Sequence, residues 1–292
     1  MVANQILYFK KIETTMTYII AEIGINHNGD IKLAKELIKT SAEAGCDAVK
    51  FQKRTINEVY TKEELDALRD SPWGTTNREQ KEGLEFSMAQ YVVLEDYTKS
   101  LGLDFIVSCW DMKSIDDVQS HLNVKYHKVA SALATDKEFL EKLKNTGTPI
   151  ILSVGMMTTK QIQSAISILG DSLEMVLACT STYPTKANEV NLRHITTLRK
   201  EIWSSDIKVG FSNHYNGLDA CVGAAALGSE CIEFHVTKDR AMYGSDQPAS
   251  IESVSMMVSA IRTMEIMLGD GKKIVYETEK PIAAKLRKVD NV

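Results

Sequence analysis

Apolar runs of membrane-spanning length are missing from this 292-residue chain, which excludes a transmembrane helix of the usual ~20 residues. The opening stretch, MVANQILYFKKIETTM, lacks the basic-then-apolar order of a secretory signal. An excess of positive charge is missing too: 34 Lys and Arg stand against 39 Asp and Glu, a net charge of -5. That balance argues against nucleic acid or an anionic membrane as the main partner. The five cysteines, Cys46, Cys109, Cys179, Cys221 and Cys231, form no Cys-x-x-Cys pair and are odd in number. They read as reduced thiols of a cytoplasmic protein, not as a disulfide framework. Neither GxGxxG nor GxxxxGKS/T follows the first strand, which counts against a doubly wound nucleotide-binding sheet. No low-complexity linker divides the chain, and its length is enough to bury a large core.

What is present is a regular alternation of strand and helix patterns. Short apolar stretches rich in Val and Ile lie at 18–25, 48–52, 104–110, 126–130, 150–154, 175–179, 207–211 and 231–234. Such continuous apolarity suits strands buried on both faces. Helical patterns follow them at 31–44, 87–101, 114–122, 137–144, 159–169, 189–200, 218–227 and 251–268. This alternation predicts an α/β fold, a single-domain (β/α)8 TIM barrel over 18–279. Residues 1–17 are expected to cap the barrel's amino-terminal end, and 280–292 to trail as a basic, polar tail. The longest interruption, 54–86, contains SPWGTTNREQ and is expected to be a loop over the mouth.

In such a barrel the carboxyl ends of the strands build the site. Those ends carry Glu22; Lys50 and Gln52; Ser108 and Trp110; Lys128 and Ser131; Ser153; Ser181 and Tyr183; Ser212 and His214; and His235, with Asp246 in the loop beyond. Neighbouring strands lie about 4.8 Å apart, so His214 and His235 can reach one metal ion. A lone buried ammonium is costly. Lys50 and Lys128 therefore need either an anionic ligand, such as a phosphate ester, or a barrel carboxylate such as Glu22 or Glu233. One strand-end serine could simply cap the next helix; the whole set points to a polyanion.

The motifs AEIGINHNG, VKFQ, KVAS, ILSVGM, STYPT, VGFSNH and IEFHVT occur in this order. Over residues 19–252 the chain resembles the catalytic barrel of the sialic acid (N-acetylneuraminate) synthase family, whose relatives include legionaminic and pseudaminic acid synthases. The resemblance implies an enzyme, a transferase joining phosphoenolpyruvate to an N-acetylmannosamine-like aldose with release of phosphate. It also implies a homodimer and a divalent metal ion, manganese or magnesium, on His214 and His235. Phosphoenolpyruvate contacts are implied at Lys50, Ser108, Lys128, Ser131, Ser153, Ser181, Tyr183 and Ser212. Sugar contacts are implied at Glu22, Gln52, Trp110 and Asp246. Glu22, Lys50, Lys128 and Asp246 form the expected catalytic group. The chain departs from the family at Ser181, often Asn, at Leu133, often Glu, and at Asn213, often Asp. The family's C-terminal antifreeze-like domain is not among these residues.

Two other functions fit the same residues. A Schiff-base aldolase would use Lys128 or Lys50 as nucleophile and need no metal. A catalytically silent barrel would only bind sugar. Leu133, two residues after Ser131, is expected by strand alternation to face the mouth. There it would form an apolar wall suited to a more deoxygenated aldose.

Overall fold

Strands of this composition bury both faces only if helices cover the outside and side chains fill the inside. The computed structural model, described over residues 16–202 and 206–289, has that architecture. Its strands are β1 (Tyr18–Gly24), β2 (Ala48–Lys53), β3 (Leu68–Ser71), β4 (Gly74–Thr76), β5 (Asp104–Cys109), β6 (Tyr126–Val129), β7 (Ile150–Ser153), β8 (Leu173–Cys179), β9 (Lys208–Asn213) and β10 (Cys231–His235). All but β3 and β4 are parallel and close into a barrel in the order β1-β10-β9-β8-β7-β6-β5-β2. The helices are α1 (Ile31–Ala44), α2 (Ile56–Val59), α3 (Lys62–Asp66), α4 (Asn77–Leu84), α5 (Met88–Ser100), α6 (Met112–His121), α7 (Lys137–Lys144), α8 (Thr159–Leu169), α9 (Arg193–Glu201), α10 (Asp219–Ala226), α11 (Val254–Leu268) and α12 (Lys280–Leu286).

Every predicted barrel strand forms, and local chemistry explains where helix starts moved. Asp111 accepts from the Ser114 backbone N–H at 2.7 Å, so α6 begins at Met112. Ile251 bridges to Val236 beside β10, so α11 begins only at Val254. Residues 187–189 form a separate 310 turn ahead of α9. All five cysteines are free. Among the described residues no helix is long and apolar enough to cross a membrane.

Two apolar clusters set the layers. The larger fills the space between sheet and helices. The smaller fills the barrel's interior and contains Ile20, Ala48, Ile106, Tyr126, Ile151, Leu177 and Cys231. Side chains alternate along a strand, so the residue two positions further on faces the same interior. Those residues are Glu22, Lys50, Ser108, Lys128, Ser153, Cys179 and Glu233. An apolar floor thus passes directly into a polar layer at the carboxyl end.

The stretch 54–86 is not the loop that its turn-rich composition predicts. It folds into α2, α3, the β3–β4 hairpin and α4. Thr61 with Glu64 and Thr76 with Glu79 each complete a capping box that starts a short helix. The excursion does lie at the mouth. Trp73 packs edge-on against Tyr243 with ring centroids 5.5 Å apart, and Arg69 Nε donates to the Tyr243 hydroxyl at 3.3 Å. In the expected tail, residues 280–286 form the exposed helix α12. Of the expected amino-terminal cap, residues 1–15 lie outside the described residues.

The contact between Gly29 and the excursion is testable. Gly29 has φ +69, and a Cβ there would meet the Gly83 carbonyl oxygen at 2.0 Å. Gly102 has a similar φ of +78 with nothing within 4 Å. Gly102→Ala should cost only the left-handed backbone penalty, about 1 kcal/mol. Gly29→Ala should cost clearly more, because backbone must also move. Equal losses in denaturant unfolding would refute this anchoring role.

Candidate active site

The polar layer lines a cavity of about 260 Å³. Lys50 Nζ lies 2.8 Å from Glu22 and 3.8 Å from Glu233. Lys128 Nζ lies 3.8 Å from the other Glu233 oxygen and donates to Ser153 Oγ at 2.7 Å and to the Val129 carbonyl at 3.2 Å. Ser212 Oγ donates to Glu233 at 2.9 Å, and Gln52 Nε2 donates to Glu22 at 2.7 Å. All four charged side chains are buried, so they form one alternating chain, Glu22–Lys50–Glu233–Lys128.

The two ammonium groups differ. Burial opposes the charge on each. At Lys50, Glu22 and Glu233 outweigh burial, and its pKa ends above the ordinary lysine value. At Lys128, which has no carboxylate as near as Glu22 is to Lys50, burial wins over Glu233, with Lys50 adding repulsion, and its pKa ends below that value. Burial also opposes charge on Glu233, but Lys128, Lys50 and the Ser212 hydroxyl hold it well below the usual carboxylate range.

Beside this chain stand the two histidines, with ring centroids 5.3 Å apart. His214 Nδ1 donates to the Thr180 carbonyl at 2.8 Å, which leaves its Nε2 lone pair free. Burial works against protonating His214, but the Cys179 thiol and Thr180 carbonyl reverse that, and its pKa is raised. His235 is fully enclosed and its pKa is lowered, chiefly by burial. His235 Nδ1 is buried without a hydrogen-bond partner, 3.7 Å from Asp246. Among the described residues no group of three or more His, Cys, Asp or Glu side chains is placed to hold a metal. The two imidazoles could hold one only if other oxygens completed the shell.

Every predicted site residue except Asp246 lines this one cavity. Asp246 stands behind His235 instead. Ser131 Oγ accepts from the Gly155 N–H at 3.0 Å, and Ser108 Oγ donates to the Lys128 carbonyl at 3.0 Å. Tyr183 packs on His214 at 4.1 Å between centroids. The expectation for Leu133 fails. Strand β6 ends at Val129, residues 131–133 form a 310 turn, and Leu133 packs on the outer core while Ala132 lines the cavity. Sequence reasoning placed Glu233 only as a counter-charge and missed Cys179 and Met156, which also line the cavity. Glu233 was within reach, since it precedes His235 by two on the same strand.

Known proteins resemble this chain closely. The profile described as the NeuB family matches residues 37–273. The chain is 36% identical to N-acetylneuraminate-9-phosphate synthase of Mus musculus over 278 residues, 93% of this chain and 76% of that one. It is also 36% identical to N,N'-diacetyllegionaminic acid synthase of Legionella pneumophila over 284 residues, 93% of this chain and 78% of that one. Among solved structures, the N-acetylneuraminic acid synthetase of Leptospira borgpetersenii, crystallised with citrate, superposes with a TM-score of 0.79 at 26% identity, covering 94% of both chains.

Glu233→Gln tests the charge chain. It leaves Lys128 without its carboxylate, and an uncompensated buried charge costs roughly 3–5 kcal/mol in unfolding experiments. The sign with pH follows from a depressed pKa. The contribution of Glu233 is fully present above its ordinary value of 4.5 and is lost as pH falls below it. The stability gap between wild type and Glu233→Gln should therefore narrow in acid. A gap absent at neutral pH, or one that widens in acid, would contradict this.

Proposed function

This chain belongs to the NeuB family, and from that premise we propose that it condenses phosphoenolpyruvate with an N-acetylmannosamine-like aldose. The products are a nonulosonic (sialic-type) acid and inorganic phosphate. The observation that carries this reading is the convergence of Lys50, Lys128, Glu22, Glu233, His214 and His235 on one cavity. Phosphoenolpyruvate bears close to three negative charges. Lys50 and Lys128 would bind its carboxylate and phosphate, with the hydroxyls of Ser108, Ser131, Ser153, Ser181, Ser212 and Tyr183 around them. Glu22 and Gln52, already hydrogen-bonded to each other, would orient sugar hydroxyls, and Trp110 would flank the ring.

The bond changes balance. Carbon 3 of phosphoenolpyruvate attacks the aldehyde carbon, and the aldehyde oxygen takes a proton. Water adds to the cation at carbon 2 and loses a proton. The adduct then collapses: the carbon 2 hydroxyl gives up its proton, the bond from carbon 2 to the phosphate oxygen breaks, and phosphate leaves with that proton, giving a 2-oxo acid. Glu22, which lines the cavity, would move one of these protons. Asp246 does not line the cavity and is a positioning residue, acting through His235. His214 and His235 fit a divalent ion, since one has a free Nε2 and the other an unpartnered Nδ1. Bound there, such an ion, manganese or magnesium, would supply Lewis-acid polarisation of the aldehyde. A homodimer in the cytoplasm belongs to the same reading. The low pKa of buried Lys128 is what a Schiff-base aldolase would need. Turnover that survives a chelator would favour that chemistry instead.

Two outcomes test the assignment. Consumption of phosphoenolpyruvate should require an aldose, and Lys50→Met or Lys128→Met should raise its KM about ten- to a hundredfold, the worth of one charge-assisted contact. Ordinary saturation in both variants would make the lysines merely structural. Elemental analysis should find about one divalent ion per chain, lost in His235→Ala. Metal affinity should fall as pH falls, because protons compete for the imidazoles. Unchanged metal content in His235→Ala would sink the metal assignment.

A further inference from the structure

Three of the six cations between residues 53 and 81 are paired: Lys53 with Glu85 at 3.0 Å, Arg78 with Glu82 at 3.4 Å, and Lys62 with Asp66. Arg54, Arg69 and Lys81 are not. Among the described residues none of the three charged side-chain ends has a carboxylate within 4.0 Å, although the Arg54 backbone N–H donates to Glu85 at 3.2 Å. Arg54 follows β2, Arg69 lies on β3 and Lys81 on α4, and the charges of both arginines are felt at Lys81. The Arg54 guanidinium stacks 4.0 Å above the Trp110 ring and donates to Gln52 Oε1 at 2.6 Å. Trp110 and Gln52 both line the cavity. Arg54 Nε and Trp110 Nε1 are buried donors with no acceptor. Lys81 sits over the Tyr60 ring at 4.9 Å. Burial, then Arg54 and Arg69, press its pKa down to about 8, with Asp246 the opposing acid.

Crowded like charges and orphaned donors raise the free energy of the empty rim, and a dianion with several acceptor oxygens would relieve both. The cavity floor has no cation left for a second such group, because Lys50 and Lys128 are assigned above to the carboxylate and phosphate of phosphoenolpyruvate. Resting on the condensation proposed above, we propose that Arg54, Arg69 and Lys81 form a second anion subsite at the mouth. It takes a phosphate monoester on the carbon of the aldose farthest from the reacting aldehyde. The acceptor is then a sugar phosphate, supplied by phosphoryl transfer to a sugar hydroxyl, and the product keeps that phosphate. Relatives do not decide this. At the same 36% identity, the product named for the mouse relative carries a phosphate and that of the Legionella relative does not.

The test compares N-acetylmannosamine with its 6-phosphate in wild type, Lys81→Met and Arg69→Gln. The specificity constant should favour the 6-phosphate by about a hundredfold or more in wild type, for several charge-assisted contacts. Each variant should cut that ratio about ten- to a hundredfold. Equal specificity constants in wild type would overturn the proposal. So would variants that raise the KM for phosphoenolpyruvate while the ratio stays intact, since the cluster would then serve the phosphate of that substrate. Calorimetry with the 6-phosphate alone separates the two levels. If neither sugar consumes phosphoenolpyruvate, the condensation fails. The subsite still stands if the 6-phosphate binds and Lys81→Met weakens it at least tenfold, and falls if the 6-phosphate binds no better than N-acetylmannosamine.

Discussion

Four buried charges in alternation constrain everything around them. Taking Glu22, Lys50, Glu233 and Lys128 out of water costs several kcal/mol for each ion, and only close alternation of sign offsets it. That alternation depends on strand register. Glu22 stands level with Lys50 on β2 and with His235 on β10, and Glu233 stands level with Ser212 on β9. A slip of one residue would turn these side chains into the helix-facing layer and bring apolar ones inside. The apolar floor of Ile20, Ala48, Ile106 and Ile151 keeps water from below.

Most of the architecture and of the cavity was legible in the chain for one physical reason. Strands buried on both faces need continuous apolar runs, so a Lys or Glu inside such a run marks a special position. Lys50 and Lys128 stood out that way, and the histidines stood out as strand ends. Legibility stopped where the hydrogen-bond ladder stops. Alternation past Ser131 assumed that β6 continues, but it ends at Val129 and a 310 turn carries Leu133 to the outer core. Composition cannot say where a ladder ends, because residues 129–133 would suit a strand or a turn.

The excursion shows a second limit. Its polar, turn-rich residues read as loop, yet Thr61 with Glu64 and Thr76 with Glu79 carry the spacing that starts helices. Each box begins a helix of eight residues or fewer, too short to show apolar periodicity. Such helices persist through tertiary contacts, not propensity. Here the contacts are Trp73 on Tyr243 and the close approach of Gly83 to Gly29. The same folding gathers Arg54, Arg69 and Lys81, which are scattered along the chain and reveal no pattern until the hairpin forms.

A cavity whose charges are already paired binds an anion by exchange, not by capture. Without ligand, Lys50 and Lys128 are neutralised by Glu22 and Glu233, so the barrel does not carry two bare ammonium groups. An arriving phosphate or carboxylate would take over a lysine, and the displaced carboxylate oxygens would then need donors of their own. Sugar hydroxyls are such donors, and Glu22 already holds Gln52 in place beside them. On the proposed reading, binding an anion would thus make the pocket a better receptor for a polyol. Preorganised charges that change partners avoid the reorganisation cost of turning solvent dipoles during reaction. That linkage explains why two lysines and two glutamates share one layer, where two lysines alone would bind the anion but leave the sugar without acceptors.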